Sequence, residues 1–186
     1  MKSEKSSSHI SRDMLLWCLF TVLLAGAQQN FVFAGAEILQ QKIFYDLKGR
    51  RHALAEYINK GASKGKWLVV MIWANECHVC NREVKQYMDF HTRNKKSTAV
   101  VLGISINGWS GRDKARSFIR RHKVNFNNIL IEPQDLNGFY QALTGRQFRG
   151  TPTILMFARD GEFKGHQAGA VPTALIAKYI KNNDGK

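Results

Sequence analysis

The segment 67–80 reads WLVVMIWANECHVC and gives the clearest indication of the fold. Its first part, Trp67–Ala74, is a continuous apolar run of strand length, and such a run is typical of a strand buried on both faces of a parallel sheet. From Cys77 onward, large side chains recur at helical spacing, at Val84, Tyr87, Met88 and His91. The stretch therefore predicts a buried strand that leads into a helix, with two cysteines near the junction.

These two cysteines, Cys77 and Cys80, are suited to dithiol chemistry. The first turn of a helix has unpaired backbone N–H groups and the positive end of the helix dipole, and both stabilise an anion. We therefore expect Cys77 to ionise readily, and a thiolate is the species that attacks a disulfide. Cys80 follows one helical turn later on the same face, where it can resolve a mixed disulfide. A C-x-x-C pair at a strand-to-helix junction predicts a redox site.

Other uses of the pair fit the sequence less well. Haem attachment needs a histidine directly after the second cysteine, and this chain has Asn81. A closed zinc site needs four ligands, and the sequence has no second C-x-x-C, so we expect neither a metal nor a cofactor. A structural disulfide stays open, although so small a loop stabilises little. A peroxiredoxin is disfavoured because Ala74, not threonine, stands three residues before Cys77.

The rest of the chain alternates predicted strands with predicted helices, which is typical of an α/β fold. The Asp160-Gly161 pair is a hairpin signal that adds an antiparallel edge to the sheet. The predicted strands are 42–47, 67–74, 98–105, 128–131, 153–158 and 162–167, and the predicted helices are 52–59, 77–91, 113–122, 135–143 and 173–180. The sequence thus predicts one domain with a mixed central sheet flanked by helices.

The N-terminus differs in composition from the rest. Residues 1–13 are polar with basic side chains, and residues 14–27 form an apolar run that ends in small residues. This pattern is typical of a secretory signal peptide cleaved after Ala27 or Ala34, and an uncleaved membrane anchor that extends to Ala36 is the alternative. Cys18 lies in this segment. We therefore assign residues 1–34 to a signal peptide or anchor and residues 35–186 to the domain. The expected location is the periplasm or another extracytoplasmic compartment, where disulfides persist.

The chain is strongly basic, because 28 Lys and Arg residues face 14 Asp and Glu residues and give a formal charge of +14. Such a charge could attract nucleic acid, an anionic membrane surface or an acidic partner. The basic residues are spread along the chain, however, which is typical of solvated helix faces. We therefore do not expect a nucleic acid as a partner.

Three motifs together indicate a family. They are the strand with its C-x-x-C (residues 68–80), Gly-Thr-Pro-Thr (150–153) before an apolar strand, and Arg-Asp-Gly (159–161) at the following hairpin. From about Trp67 to Ile180 the chain resembles the thioredoxin superfamily, and within it the TlpA/ResA-like exported thiol–disulfide oxidoreductases. The segment Leu102–Leu143 resembles the additional βα insertion of the TlpA-like branch. The resemblance implies a thioredoxin-like fold with this insertion.

The resemblance also implies the roles of individual residues. Cys77 would be the nucleophile and Cys80 the resolving thiol. Thr151 and a cis Pro152 would face the disulfide and pair with the substrate backbone. Glu83 stands where these proteins place a glutamate near the resolving cysteine, and an exposed helix glutamate is the alternative.

The surroundings of the pair depart from the family pattern. Met71 stands where thioredoxin has a buried aspartate, so Glu83 is the one candidate for an internal carboxylate. Glu76 replaces the usual tryptophan, and Val79 replaces the common proline. We expect Glu76, His78 and Val79 to tune the redox pair, since Glu76 disfavours a thiolate and a protonated His78 favours it. Thioredoxin has a redox potential of about −270 mV, and we expect the potential of this pair to be more oxidising.

The implied function is exchange with protein dithiol and disulfide substrates outside the cytoplasm. Reduction of apocytochrome c cysteines before haem attachment is one such role, and it needs a membrane redox partner that supplies electrons. We expect a monomer. The alternative is a thioredoxin-fold module that binds polypeptides without essential redox turnover.

Overall fold

The computed structural model of the chain describes residues 35–184. The predicted signal peptide or anchor, including Cys18, lies outside the described residues. Residues 35–40 are helical (α1). Among the residues described, no helix is both long and apolar enough to cross a membrane.

Seven strands form one mixed sheet. They are β1 (Phe44–Asp46), β2 (Arg51–His52), β3 (Trp67–Trp73), β4 (Ala99–Ser105), β5 (Asn127–Ile131), β6 (Thr153–Phe157) and β7 (Phe163–Ala168). Their order in the sheet is β2-β1-β5-β4-β3-β6-β7. The central strands β3, β4 and β5 run parallel, and β1 and β6 pair antiparallel on either side of them. The hairpin partners β2 and β7 form the two edges.

Helices cover both faces of this sheet, and each face has its own apolar core. The longer helices are α2 (His78–Asn94), α3 (Arg112–His122), α4 (Pro133–Thr144) and α5 (Thr173–Asn183). Successive residues of β3 point to opposite faces. Its Val69 and Met71 pack in one core with residues of α2, α3 and α5, and Val70 packs in the other with residues of α4. Because both faces are covered, all seven residues of β3 are buried, which accounts for its uninterrupted apolar sequence.

The predicted fold class is confirmed, since the sheet is mixed and flanked by helices. The strands at 67–74 and 98–105 and the helices at 113–122 and 135–143 lie within two residues of their predicted bounds. The helix predicted at 173–180 continues to Asn183. Between β4 and β6 lie α3, β5 and α4, so this segment has the additional strand and helix that the resemblance implies.

The helix predicted for residues 52–59 is wrong. His52 belongs to β2 and pairs with Phe44 of β1, so its backbone is extended. Only a 3-10 turn follows, at Leu54–Glu56. The Glu56 carboxylate accepts a hydrogen bond from the backbone N–H of Ala53 at 3.1 Å and lies 2.7 Å from Nδ1 of His52. Strand pairing and these local polar contacts therefore replace the predicted helix.

Candidate active site

Cys77 and Cys80 lie at the start of α2, just beyond the carboxyl end of β3. The helix begins at His78, and Cys77 is its N-cap residue, with an extended backbone at φ −73° and ψ 104°. The two cysteines form a disulfide, and their Cα atoms are 5.2 Å apart. Cys77 is half-buried, whereas Cys80 is fully buried. The strand-to-helix junction predicted from the sequence thus places one sulfur near solvent and the other inside.

The start of α2 stabilises negative charge on the outer sulfur. The Sγ atom of Cys77 accepts a hydrogen bond from the backbone N–H of Cys80, with an N···S distance of 3.0 Å. This contact occupies one of the N–H groups that have no partner within the helix, and the helix dipole adds to it. A thiolate at Cys77 would therefore be favoured when the disulfide is reduced.

The inner sulfur lies in an apolar environment. Cys80 belongs to the same buried cluster as Met71 and Trp73 of β3. The Trp73 ring stacks on Phe118 with centroids 4.1 Å apart, and its Nε1 donates to Oδ1 of Asn128 at 3.1 Å. Burial among such side chains disfavours a thiolate. The two cysteines are therefore electrostatically different, because their surroundings favour negative charge on the outer sulfur and disfavour it on the inner one.

The Thr151–Pro152 loop faces the outer sulfur. The carbonyl oxygen of Thr151 lies 3.4 Å from Sγ of Cys77, and the peptide bond between Thr151 and Pro152 is cis. Pro152 is buried, and its carbonyl oxygen accepts a hydrogen bond from the backbone N–H of Gly169 at 2.8 Å. Two segments far apart in sequence thus meet at the disulfide.

Glu76 precedes the pair, and its charge is compensated by neighbouring groups. One carboxylate oxygen lies 2.9 Å from Nζ of Lys114, and the other accepts a hydrogen bond from Nδ2 of Asn107 at 2.9 Å. These two contacts lower the pKa of Glu76. His78 is exposed and Val79 is half-buried at the first two positions of α2. The negative charge expected beside the thiolate is therefore directed towards α3.

Glu83 is half-buried one turn beyond Cys80. Its carboxylate accepts a short hydrogen bond from Nε2 of Gln86, and Oε1 of Gln86 accepts one from the backbone N–H of Thr173 at 2.8 Å. Burial, and secondarily the charge of Glu83, raise the pKa of Tyr87. Glu83 thus belongs to a polar contact between α2 and the start of α5.

Asn81, which in the sequence only speaks against haem attachment, connects the site to α3. Its Nδ2 donates to the carbonyl oxygens of Cys77 at 2.8 Å and of Asn75 at 3.1 Å. Its Oδ1 accepts a hydrogen bond from Arg121 at 2.7 Å and lies 2.8 Å from Nε2 of His122. Asn81 therefore holds the backbone of residues 75–77 in place at the outer cysteine.

Asn107 was also missed, although its position gave a signal. It follows β4, and polar residues just after the carboxyl end of a parallel strand often line a site. Its Oδ1 accepts hydrogen bonds from the backbone N–H of Asn75 at 3.0 Å and from Oγ of Ser105 at 2.9 Å. Together with its contact to Glu76, this anchors the loop before the disulfide.

The described part of the chain contains no cluster of three or more His, Cys, Asp or Glu side chains that could hold a metal ion.

Two curated relatives span most of this chain, and both are named thiol-disulfide oxidoreductase ResA. The protein from Geobacillus kaustophilus is 25% identical over 142 residues, which are 75% of this chain and 72% of the relative. The protein from Geobacillus thermodenitrificans is 22% identical over 186 residues, which cover 96% of this chain and 98% of the relative.

Solved structures share the fold at low sequence identity. A thioredoxin-like protein from Porphyromonas gingivalis has a TM-score of 0.63 and 15% identity, and the match covers 80% of this chain and 95% of that one. A secreted disulfide oxidoreductase from Mycobacterium tuberculosis has a TM-score of 0.56 and 19% identity, and its match covers 78% of this chain and 98% of that one. Similarity at this level shows a thioredoxin-like fold.

A match to a family model assigns the chain to a family. The model described as the AhpC/TSA family matches residues 35–165, well over half of the chain. The matched region includes the disulfide, the βα insertion and the Thr151–Pro152 loop. The chain belongs to the AhpC/TSA family.

Proposed function

We propose that this chain is a thiol–disulfide oxidoreductase that acts on exported protein substrates through Cys77 and Cys80. The observation that carries the proposal is the bonded pair at the start of α2, with a half-buried outer sulfur and a fully buried inner one. The names of the two curated relatives support the activity. The fold and the hydrogen bond at the outer sulfur support the same chemistry.

Exchange proceeds in two steps that conserve sulfur and electrons. In the reduced protein, the Cys77 thiolate attacks one sulfur of a substrate disulfide, and the second substrate sulfur leaves as a thiolate. Cys80 then loses its proton and attacks Cys77, which forms the bond seen in the structure and releases the reduced substrate. Two electrons pass from the protein to the substrate, and the reverse sequence oxidises a substrate dithiol.

Neighbouring residues have supporting roles in this proposal. Thr151 and Pro152 bind the substrate backbone beside the outer sulfur, which lies 3.4 Å from the Thr151 carbonyl. Glu83 exchanges the proton of Cys80, one helical turn away. Glu76, His78 and Val79 tune the redox potential of the pair.

The proposed setting is outside the cytoplasm. Residues 1–34 serve as a signal peptide or membrane anchor, and residues 35–186 form the catalytic domain, which acts as a monomer. The secreted relative from Mycobacterium tuberculosis supports this location. Electrons come from a membrane redox partner, and reduction of apocytochrome c is the proposed physiological reaction.

Insulin reduction tests the activity directly. The domain should accelerate precipitation of insulin by dithiothreitol, and Cys77→Ser should lower the rate to that of dithiothreitol alone, because no thiolate remains to attack. A Cys77→Ser variant that retains full reduction would disprove the proposal. If Cys77→Ser no longer reduces insulin but still binds polypeptides and still performs the function of the protein in the cell, the chain is a polypeptide-binding module instead.

Trapping identifies the substrates. Cys80→Ala should accumulate a mixed disulfide at Cys77, because the step that resolves it is lost. Mass spectrometry of the captured extracytoplasmic proteins then tests the cytochrome c assignment, and Cys77→Ser/Cys80→Ala is the control that should capture none. Consumption of hydrogen peroxide at a rate above that of insulin reduction would favour a peroxidase instead.

A further inference from the structure

A basic pocket lies close to the Thr151–Pro152 loop. It has a volume of about 580 Å³, and its walls come from the residues after α4 and from the second half of β7. We call it the Arg146/Arg149 pocket after its two charged side chains. Tyr140 and His166 also line it, and the Tyr140 hydroxyl group lies 2.6 Å from Nδ1 of His166.

The two arginines of this pocket have no carboxylate within 4.0 Å, as far as residues 35–184 are concerned. Other arginines of the same domain do pair with aspartates, among them Arg50 with Asp46 and Arg159 with Asp184. Residues that line the pocket include no acidic side chain. The pocket therefore presents two uncompensated guanidinium groups.

Of the two ring side chains of the pocket, Tyr140 is buried and His166 is half-buried, and both lie near Arg146. Burial, and secondarily the charge of Arg146, lower the pKa of His166. Burial raises the pKa of Tyr140, and the charge of Arg146 opposes this shift. Both shifts favour the uncharged form of the ring, and the arginines supply the positive charge of the pocket.

The pocket is close enough to the disulfide to contact the same polypeptide. Arg149 precedes Thr151 by two residues, so their Cα atoms are at most about 7.6 Å apart. On the other wall, Ala168 is the partner of Thr153 in the sheet. The Thr151 carbonyl in turn lies 3.4 Å from the outer sulfur. A chain that runs past Cys77 would thus place its next residues over the pocket.

We infer that the Arg146/Arg149 pocket binds acidic side chains that flank the reacting cysteine of a protein substrate. A guanidinium group can bind a carboxylate through two parallel hydrogen bonds. This geometry adds specificity for carboxylates to the electrostatic attraction. This inference rests on the proposed function, and it assigns the chain a class of substrate, namely polypeptides with Asp or Glu beside the cysteine.

The test compares two synthetic peptides that differ only in charge. Each carries one cysteine joined by a disulfide to 2-thiopyridine, and the cysteine is flanked by two glutamates in one peptide and by two glutamines in the other. Attack by the Cys77 thiolate at the peptide sulfur forms a mixed disulfide and releases pyridine-2-thione, which is measured by absorbance. We expect the wild-type protein to react roughly fivefold faster with the acidic peptide at low salt.

Matched variants locate the source of this preference. Arg146→Gln/Arg149→Gln should react equally with both peptides, while its rate with the neutral peptide stays unchanged. Arg93→Gln/Arg120→Gln removes the same charge from exposed positions on α2 and α3 and should keep the preference. Equal wild-type rates, or an unchanged preference in the pocket variant, would overturn the inference without affecting the proposed function.

A binding measurement separates the inference from the redox activity. A labelled acidic peptide with serine in place of cysteine should bind the oxidised protein, as measured by fluorescence anisotropy, and the pocket variant should lose this binding. If this binding is present but no peptide disulfide is attacked, the proposed function fails and the pocket stands. If the peptide does not bind, the pocket assignment fails.

Discussion

Glu76, the residue just before Cys77, is held by two partners. Lys114 and Asn107 bind its carboxylate, and they lower its pKa. From the sequence, this residue was expected to disfavour the thiolate. Because Lys114 carries the opposite charge, the structure instead predicts that the two effects on Cys77 largely cancel.

Charge removal at this pair should therefore have opposite effects on the outer thiol. Lys114→Gln leaves Glu76 unbalanced and should raise the pKa of Cys77, whereas Glu76→Gln leaves Lys114 unbalanced and should lower it. Each shift should be less than about one pH unit, because both side chains are more than half exposed and solvent screens them. The pH dependence of iodoacetamide alkylation, measured in a Cys80→Ala background, gives these values.

The double variant Glu76→Gln/Lys114→Gln is the control for this experiment. It removes both charges and should restore a pKa close to that of the parent protein. Shifts of the same sign in both single variants would show that the pair acts through backbone position rather than through charge.

At the scale of elements, α2 and β4 are joined by a buried histidine. Nδ1 of His91 accepts a hydrogen bond from the backbone N–H of Val101 at 3.0 Å. The ladder between β4 and β5 begins only at Leu102, so this N–H group would otherwise be buried without a partner. Burial, and secondarily Lys95, lower the pKa of His91. Because Nδ1 accepts this hydrogen bond, the contact needs the neutral imidazole, and the lowered pKa favours that form.

Substitution of His91 should reveal this hydrogen bond. His91→Leu should lower the free energy of unfolding by about 1–3 kcal/mol, because the Val101 N–H loses its acceptor. His91→Gln offers another acceptor and should lose less. Urea denaturation at pH 7.5 measures both, with the exposed His78→Gln as control. Equal losses in the leucine and glutamine variants would show that packing, not the hydrogen bond, matters.

The same contact predicts a pH dependence. A histidine whose pKa is lower in the folded chain contributes stability that is complete above its unfolded value of about 6.5 and is lost as the pH falls towards the folded value. The wild-type protein should thus lose stability below pH 6.5, and His91→Gln should lose less. His122 and His166 have lowered pKa values too, so the variant should flatten the profile only in part.

At the scale of the whole molecule, Arg159 connects the C-terminus to the starts of two central strands. Its guanidinium binds Asp184 through two contacts of 2.5 and 2.8 Å. It also donates to the carbonyl oxygens of Gly65, before β3, at 2.5 Å and of Ser97, before β4, at 3.3 Å. Asp184 accepts a further hydrogen bond from Nε1 of Trp67 at 3.0 Å. Arg159 and Trp67 lower the pKa of Asp184 to about 2.

Asp184→Asn should therefore destabilise the domain at neutral pH and not in acid. A carboxyl group with a lowered pKa contributes stability that is present above its unfolded value of about 3.9 and is lost as the pH falls through about 2. We expect a loss of about 1 kcal/mol at pH 7, since solvent partly screens the pair. Urea denaturation between pH 7 and pH 2 should show the difference from wild type vanish.

Asp113→Asn is the matched control at this scale, because the Asp113 side chain is 76% exposed in its ion pairs with Arg112 and Arg116. At pH 7 this variant should lose clearly less stability than Asp184→Asn, because solvent screens an exposed carboxylate. A loss as large as that of Asp184→Asn would mean that general surface charge, rather than this connection, stabilises the domain.

Periodicity and local chemistry were enough to predict most of the fold. The run at Trp67–Trp73 is apolar at every position because both faces of its strand are covered, and that pattern is visible in the sequence. The helix that follows, and the placement of Cys77 at its start, are equally local properties. The helix predicted at 52–59 was wrong because pairing between His52 and Phe44 overrode the local preference.

The C-x-x-C pair, its strand-to-helix junction and the order of most strands and helices could therefore be predicted from the amino acids alone. The distant groups that surround the pair are visible only in the folded chain: the Thr151 carbonyl at Cys77, Lys114 at Glu76 and Arg121 at Asn81. The difference arises because the interactions involved act over different separations along the chain. Hydrophobic periodicity and helix capping act over a few residues of chain, whereas hydrogen bonds and ion pairs depend on distances that exist only once the sheet has assembled.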